Sequence, residues 1–179
     1  MAGFRATSGG VSARFAKPEA AVIRDLVQQV IELVGPAVPA FAADELDAIV
    51  GMPGPEQDAP GDPALARLLP DAYRDDPEAA REFRRFTEPG LRSAKVAAAR
   101  TLLATLPPEG GRVRLTRDEA EAWLRSLNDV RLALGVRLGI TSEDDDLYGR
   151  VPRDDPRRIH VDVYHWLSYL QDSLVTALS

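Results

Sequence analysis

Apolar residues recur with helical spacing most persistently over Asp118 to Ile140, where Trp123, Leu127, Val130, Leu134 and Leu138 fall on one arc and Leu124 closes its edge. The pattern predicts a long amphipathic helix, the longest uninterrupted one in the chain. A second stripe, Val22, Ile23, Leu26, Val27, Val30 and Leu33, follows Lys17-Pro18-Glu19 and stops at Gly35-Pro36, which are start and stop signals of a helix. A third, Ile159, Val163, Trp166, Leu167, Leu170, Leu174 and Leu178, follows the cap signal Asp155-Pro156. It predicts a C-terminal helix packed on the central one.

Strict alternation replaces this period at GFRATSGGVSARF, on both sides of Gly9-Gly10, and predicts a hairpin that places Phe4, Ala6, Val11, Ala13 and Phe15. The stretch RFAKPEAAVIRDLVQQV from Arg14 is echoed in residue type by RLTRDEAEAWLRSLNDV from Arg114, with Ile23 opposite Trp123 and Val27 opposite Leu127. Each reads as a short strand running into an amphipathic helix, a grammar that accounts for the likeness without duplication. The echo puts a third strand near 112–116, beside the hairpin. The fold class expected is mainly α (α+β): one domain over 1–179, a helical bundle with a small N-terminal antiparallel sheet.

Between the two units the texture changes. Asp44 to Val50 suits a short helix and MPGPEQDAPGDP a loop. Asp62-Pro63 and Asp76-Pro77 each set a carboxylate cap before a proline at the first helical position. The first predicts a brief helix ended by Pro70. The second predicts a helix with Phe83 and Phe86 inward, broken at Glu88-Pro89-Gly90, and then another helix from Leu91 to Leu106. Flexible loops are expected over 51–62 and 141–155.

Composition narrows the chemistry. With no cysteine among 179 residues, thiolate catalysis, disulfides, iron–sulfur clusters and cysteine zinc sites are excluded within this chain, and a reducing cytoplasm is the expected location. No leader pattern opens the chain and no apolar run approaches a membrane span, so no membrane partner is expected. A net charge of -6 argues against a surface that attracts nucleic acid everywhere. Charge is nevertheless local: acids without bases fill Asp44 to Asp62, while Arg81, Arg84, Arg85, Arg92, Lys95 and Arg100 face only Glu82 and Glu88.

Arg131 is the polar residue that breaks the apolar arc of the central helix, with Asn128 one turn before it and Gly135 one turn after. A guanidinium there is costly unless its donors are matched, which predicts a carboxylate partner, Asp162 or Glu32. The site reads as a register clamp or as a docking point for a partner. Arg81, Arg84, Arg85, Arg92 and Lys95 form a second candidate contact, a basic patch for phosphates or an acidic protein surface. His160 and His165 do not share a helix face, so they make no metal site. Asp162, His165 and Ser168 hold triad residue types at spacings a single helix does not serve. No Walker loop, dinucleotide fingerprint or HExxH motif is present, and neither cofactor nor metal is expected.

Three segments carry a resemblance: RLLPDAYRDDPEAAREFRRFTE from Arg67, WLRSLNDVRLALGVRLGI from Trp123 and VYHWLSYLQDSLV from Val163. Together they resemble an actinobacterial family, largely uncharacterised and usually encoded near the ClpS proteolytic adaptor, over nearly the full chain. Some of its members are regarded as regulators of transcription in oxidative stress, acting through protein contacts with the transcription machinery. The resemblance implies a regulatory protein with a protein partner, and the absence of a nucleophile motif, a metal cluster and a phosphate loop, together with the localised charge, makes a non-enzymatic protein the expectation. Direct DNA contact by a winged-helix arrangement, an adaptor role in ClpS-dependent proteolysis, an enzyme and a homodimer are the alternatives kept beside it.

Overall fold

In the computed structural model, which describes residues 3–35, 60–73, 75–140, 147–152 and 154–179, the chain begins with strand β1 (Arg5–Thr7) and strand β2 (Gly10–Phe15). Thr7 pairs with Gly10, so Ser8-Gly9 forms the turn one residue earlier than the alternation suggests. Helix α1 (Lys17–Val34) follows directly. After the described chain resumes come α2 (Pro63–Leu68), α3 (Pro77–Thr105), β3 (Gly111–Leu115), α4 (Arg117–Arg137), a single turn α5 (Leu147–Arg150) and α6 (Arg158–Leu178). The fold is mainly helical with a small antiparallel sheet in the order β1-β2-β3, as the sequence predicts.

The echo between the two strand–helix units has a geometric meaning. β2 and β3 pair so that Ser12 opposes Arg114 and Arg14 opposes Arg112, with Ala13 opposite Val113. Adding and subtracting 100 exchanges the first two pairs and leaves the third unchanged, so the units meet about a local two-fold axis between Ala13 and Val113. Burial follows the same rule: Ala20 and Ala120, Ile23 and Trp123, Val27 and Leu127, Val30 and Val130, and Val34 and Leu134 are all buried. Both helices start alike. Glu19 accepts from the Ala16 amide at 2.7 Å and Glu119 from the Thr116 amide at 2.8 Å.

Two glycines let the units cross. Gly10 has φ 143° and lies against the Leu115 carbonyl, while Gly110 has φ 74° and a side chain there would stand 2.7 Å from the Lys17 amide nitrogen. The likeness is therefore more than shared strand-to-helix grammar, since packing, capping and crossing points all coincide.

Phe4, Phe15 and Trp123 form the aromatic centre of the core, with ring centroids 5.6 to 5.9 Å apart. The Trp123 indole donates to Thr105 Oγ1 at 2.7 Å, tying α4 to the end of α3. α4 lies at the middle of the molecule, packed on α3, α6, α2 and α1. It ends at Arg137 in a Schellman turn: Gly139 has φ 69°, and Ile140 N–H donates to the Gly135 carbonyl at 2.9 Å. On α6 the inward residues are Val161, Leu167, Leu170 and Leu174, whereas Ile159 is 65% exposed and does not join the stripe. The helix starts late, because Asp155 and Pro156 lie in a turn where the Asp155 carboxylate accepts from the Arg157 amide at 2.8 Å.

The largest departure is α3. It runs unbroken through Glu88-Pro89-Gly90, so it, and not α4, is the longest helix among the described residues. Proline removes one amide donor and crowds the preceding turn. Buried Glu88 spans the defect, because its carboxylate meets Arg84 one turn before and Arg92 one turn after. Phe83 and Phe86, expected inward, are 43% and 59% exposed, and Ala6 is exposed as well. Of the expected loops, 147–152 and 154–155 hold a helical turn and hydrogen-bonded turns. Asp44 to Val50 and nearly all of 51–62 lie outside the described residues.

Candidate functional site

The seam between α4 and α6 holds the first site read from the sequence. Arg131 donates from Nη1 to Gln171 Oε1 at 3.0 Å, and Gln171 Nε2 donates to Asn128 Oδ1 at 3.3 Å. The guanidinium carbon lies 5.8 Å from the centre of the Tyr164 ring, and that ring also covers the bare backbone at Gly135. Asn128 and Gly135 thus act with Arg131 as their spacing suggests, but among the described residues no carboxylate pairs with it. Asp162 accepts from the Tyr148 hydroxyl at 3.0 Å, and Glu32 lies on the exposed side of α1 near Gln28. A neutral amide suffices because Arg131 is only half-buried and keeps part of its hydration.

The basic run resolves into an inward stripe. Arg84, Glu88, Arg92 and Lys95 recur at helical spacing on the face of α3 that packs against the rest of the molecule. Arg84 is 7% exposed and pairs with Asp71 and Glu88. Arg92 donates to Glu88 Oε1 at 2.8 Å and to the carbonyls of Val34 and Gly35 at 2.6 and 3.1 Å. It therefore caps the C-terminal end of α1, where the helix dipole favours a cation. Lys95 donates to Asp129 Oδ1 at 2.7 Å. Burial raises the Asp129 pKa above its ordinary 3.8, and the Lys95 ammonium opposes that rise. Arg81 lies on the outside of the helix, and Arg85, half-buried, has an interaction of its own. Neither the carbonyls at the end of α1 nor Asp129 announces itself in the sequence as a partner, so the stripe reads there as an exposed patch.

A third group surrounds the start of α6. Tyr148 stacks on His165 at 4.7 Å and lies under the Arg158 guanidinium at 4.2 Å. Its hydroxyl is pushed above its ordinary pKa of 10 by burial first and then by the Asp162 carboxylate. Asp155 is held at about 2 by its hydrogen bonds to Arg157. Ser168 Oγ donates to the Tyr164 carbonyl at 3.0 Å, away from His165, so the triad residue types do not converge. Two partly open pockets are small, about 20 and 30 Å³, and a broad open recess of about 650 Å³ lies where the units cross at Lys17, Glu109 and Gly110. Among the described residues no three metal-binding side chains gather, and no helix is long and apolar enough to cross a membrane.

Residues 1–178 match the model of a family described as a domain of unknown function, DUF2017. The chain belongs to the DUF2017 family. Its relatives include the proteins named oxidative stress regulator AosR in Mycobacterium bovis and Mycobacterium tuberculosis, and the putative oxidative stress regulator AosR of Mycobacterium leprae. Each is 40% identical over 173 residues, covering 89% of this DUF2017 chain and 78% of the relative. The resemblance carried by the three segments is thus to a family in which some members are called regulators of oxidative stress. No solved structure matches the chain.

Proposed function

We propose that this DUF2017 protein is a regulatory protein that acts through contacts with other proteins, the transcription machinery foremost, and performs no chemistry of its own. The observation that carries this reading is the 40% identity to proteins named oxidative stress regulators over most of both chains. The polar geometry supports it. Ser168 is spent on a carbonyl of its own helix, while His165 on a ring stack, Asp162 on Tyr148 and Arg131 on Gln171 each hold two parts of the fold together. A catalytic centre needs such groups aimed at a common point. Sensing through a thiol is excluded within this chain, which has no cysteine.

Reading DNA with the basic helix would require its cations outward, and on α3 three of them, Arg84, Arg92 and Lys95, point into ion pairs. The test of the whole reading is affinity capture on the full chain from native lysate, with and without nuclease. Protein partners retained after nuclease are the expected result. Their loss on nuclease treatment, or turnover of a small molecule by the purified chain, would overturn it.

A further inference from the structure

The solvent face of the sheet is set by its register. Val11, Ala13, Phe15, Val113 and Leu115 point into the core, so their neighbours point outward. Arg5 opposes Ser12, Ser12 opposes Arg114, and Arg14 opposes Arg112, which brings four arginines onto one face of three short strands. All four are exposed, and none makes an ion pair or side-chain hydrogen bond with a described residue. The two acids that line a recess with Arg14 are committed elsewhere, Glu19 to the Ala16 amide and Glu109 to Lys17. Arg14 and Arg112 face each other directly, an arrangement of like charges that disfavours the sheet as it stands. In a chain of net charge -6 this is a local concentration of cations that no described residue neutralises.

The same sheet has an open side. Among the described residues no strand lies beyond β3, and no described side chain bonds its backbone from that side. The local two-fold makes the vacancy specific. β1 covers the outer edge of β2, but the residues in the matching place beside β3, Thr105 to Pro107, are the end of α3 and its exit. The unpaired edge is a template for another strand. Charge decides which strand. A second copy of β3 would set arginine against arginine, so self-pairing is disfavoured. An extended segment with carboxylates at alternate positions has the opposite character, since its side chains repeat at about 6.6 Å, the repeat of Arg112 and Arg114 along β3.

We infer that the outer edge of β3 is a docking site for an extended acidic segment of a partner protein, added as a fourth strand with its carboxylates over Arg112 and Arg114. This rests on the reading of the chain as a protein-contact regulator and names the chemistry of that contact. Arg14 lies behind the first shared row and strengthens the positive potential there. A long polyanion meets the acidic remainder of the molecule as well as the patch, which favours a short acidic segment over nucleic acid.

The test uses the full chain and a fluorescein-labelled (Thr-Glu)4 peptide, followed by anisotropy at low salt and by backbone hydrogen exchange. Binding is expected, with exchange slowed over Gly111–Leu115. Arg112→Thr with Arg114→Thr, which keeps residues suited to a strand, is expected to weaken it by about tenfold. Arg112→Glu with Arg114→Glu should reverse the preference towards a (Thr-Lys)4 peptide. Arg81→Glu on the outside of α3 should change nothing. Circular dichroism identical to wild type confirms folding in each case, and exchange in the wild-type chain gives an answer independent of any variant. Absence of peptide binding, protection located away from β3, or tighter binding of duplex DNA than of the peptide would overturn the inference. Partner capture unchanged in Arg112→Thr with Arg114→Thr would remove this site and leave the regulatory reading standing. Small-molecule turnover by the wild-type chain would remove the regulatory reading and leave the peptide result as measured.

Discussion

Lys95 Nζ lies 2.7 Å from Asp129 Oδ1 and joins helices α3 and α4 across their seam, where the Asp129 side chain is 6% exposed. The pair holds one α-helix on another at fixed register, and removing one partner leaves the other stranded. Lys95→Met is expected to cost about 2 kcal/mol in urea unfolding, below the usual range for a buried pair because the lysine keeps some water. Asp129→Leu added to it should recover much of that loss.

The same carboxylate gives a pH dependence of defined sign. Asp129 titrates above 3.8 in the folded chain, so between 3.8 and its raised value the folded state binds more proton than the unfolded one. Its contribution to stability therefore rises as pH falls through that window. Asp155, held at about 2 by Arg157, behaves oppositely, and its contribution, complete above 3.8, is lost as pH falls towards about 2. Carboxyl-carbon NMR titration should place the two midpoints on either side of 3.8, and Lys95→Met should move that of Asp129 further up.

Pro89 lies in the interior of α3 and is exposed, with no tertiary role visible for its ring. Pro89→Ala restores an amide donor towards the preceding turn and is expected to stabilise the fold by about 1–3 kcal/mol. Thermal unfolding checks it. A lower melting temperature would mean that the proline itself positions the Glu88 cluster.

Two glycines of similar backbone angle should respond differently to alanine. At Gly110, φ 74°, the new carbon would stand 2.7 Å from the Lys17 amide nitrogen and 2.8 Å from the Phe15 carbonyl oxygen, whereas at Gly139, φ 69°, it meets nothing within 4 Å. Gly139→Ala carries only conformational strain, about 1 kcal/mol. Gly110→Ala adds a clash with unyielding backbone and should cost about 3 kcal/mol or more, read by denaturant unfolding.

Arg131→Met tests the α4–α6 clamp. The guanidinium bond to Gln171 is half-exposed, so its loss should cost about 1 kcal/mol while leaving the partner capture of the wild-type chain unchanged. Capture lost at unchanged stability would make the seam a docking point instead.

Much of this architecture is written in local patterns. Asp62 and Asp76 accept from amides at the starts of α2 and α3, and such caps are readable because side chain and target are two or three residues apart. The Gly135 patch and the echoed strand–helix units are legible for the same reason. What fails is what depends on distant neighbours. The proline at 89 reads as a stop because the residues offsetting it, Arg84, Glu88 and Arg92, act only once α1 and Asp71 are in place. The partner of Arg131 reads as a carboxylate, although an amide on α6 serves a half-wet guanidinium. The arginine face of the sheet needs the pairing of Ala13 with Val113 to be known, since SARF and RVRL each look ordinary alone.

That pairing also sets a timetable for synthesis. A nascent chain exposes Val11, Ala13 and Phe15 on a two-stranded hairpin that is marginal by itself, and β3 emerges only after about 100 more residues, roughly 5–20 s of translation. For that interval the greasy side of the first hairpin lacks its third strand, and the growing polypeptide carries an exposed surface prone to aggregation.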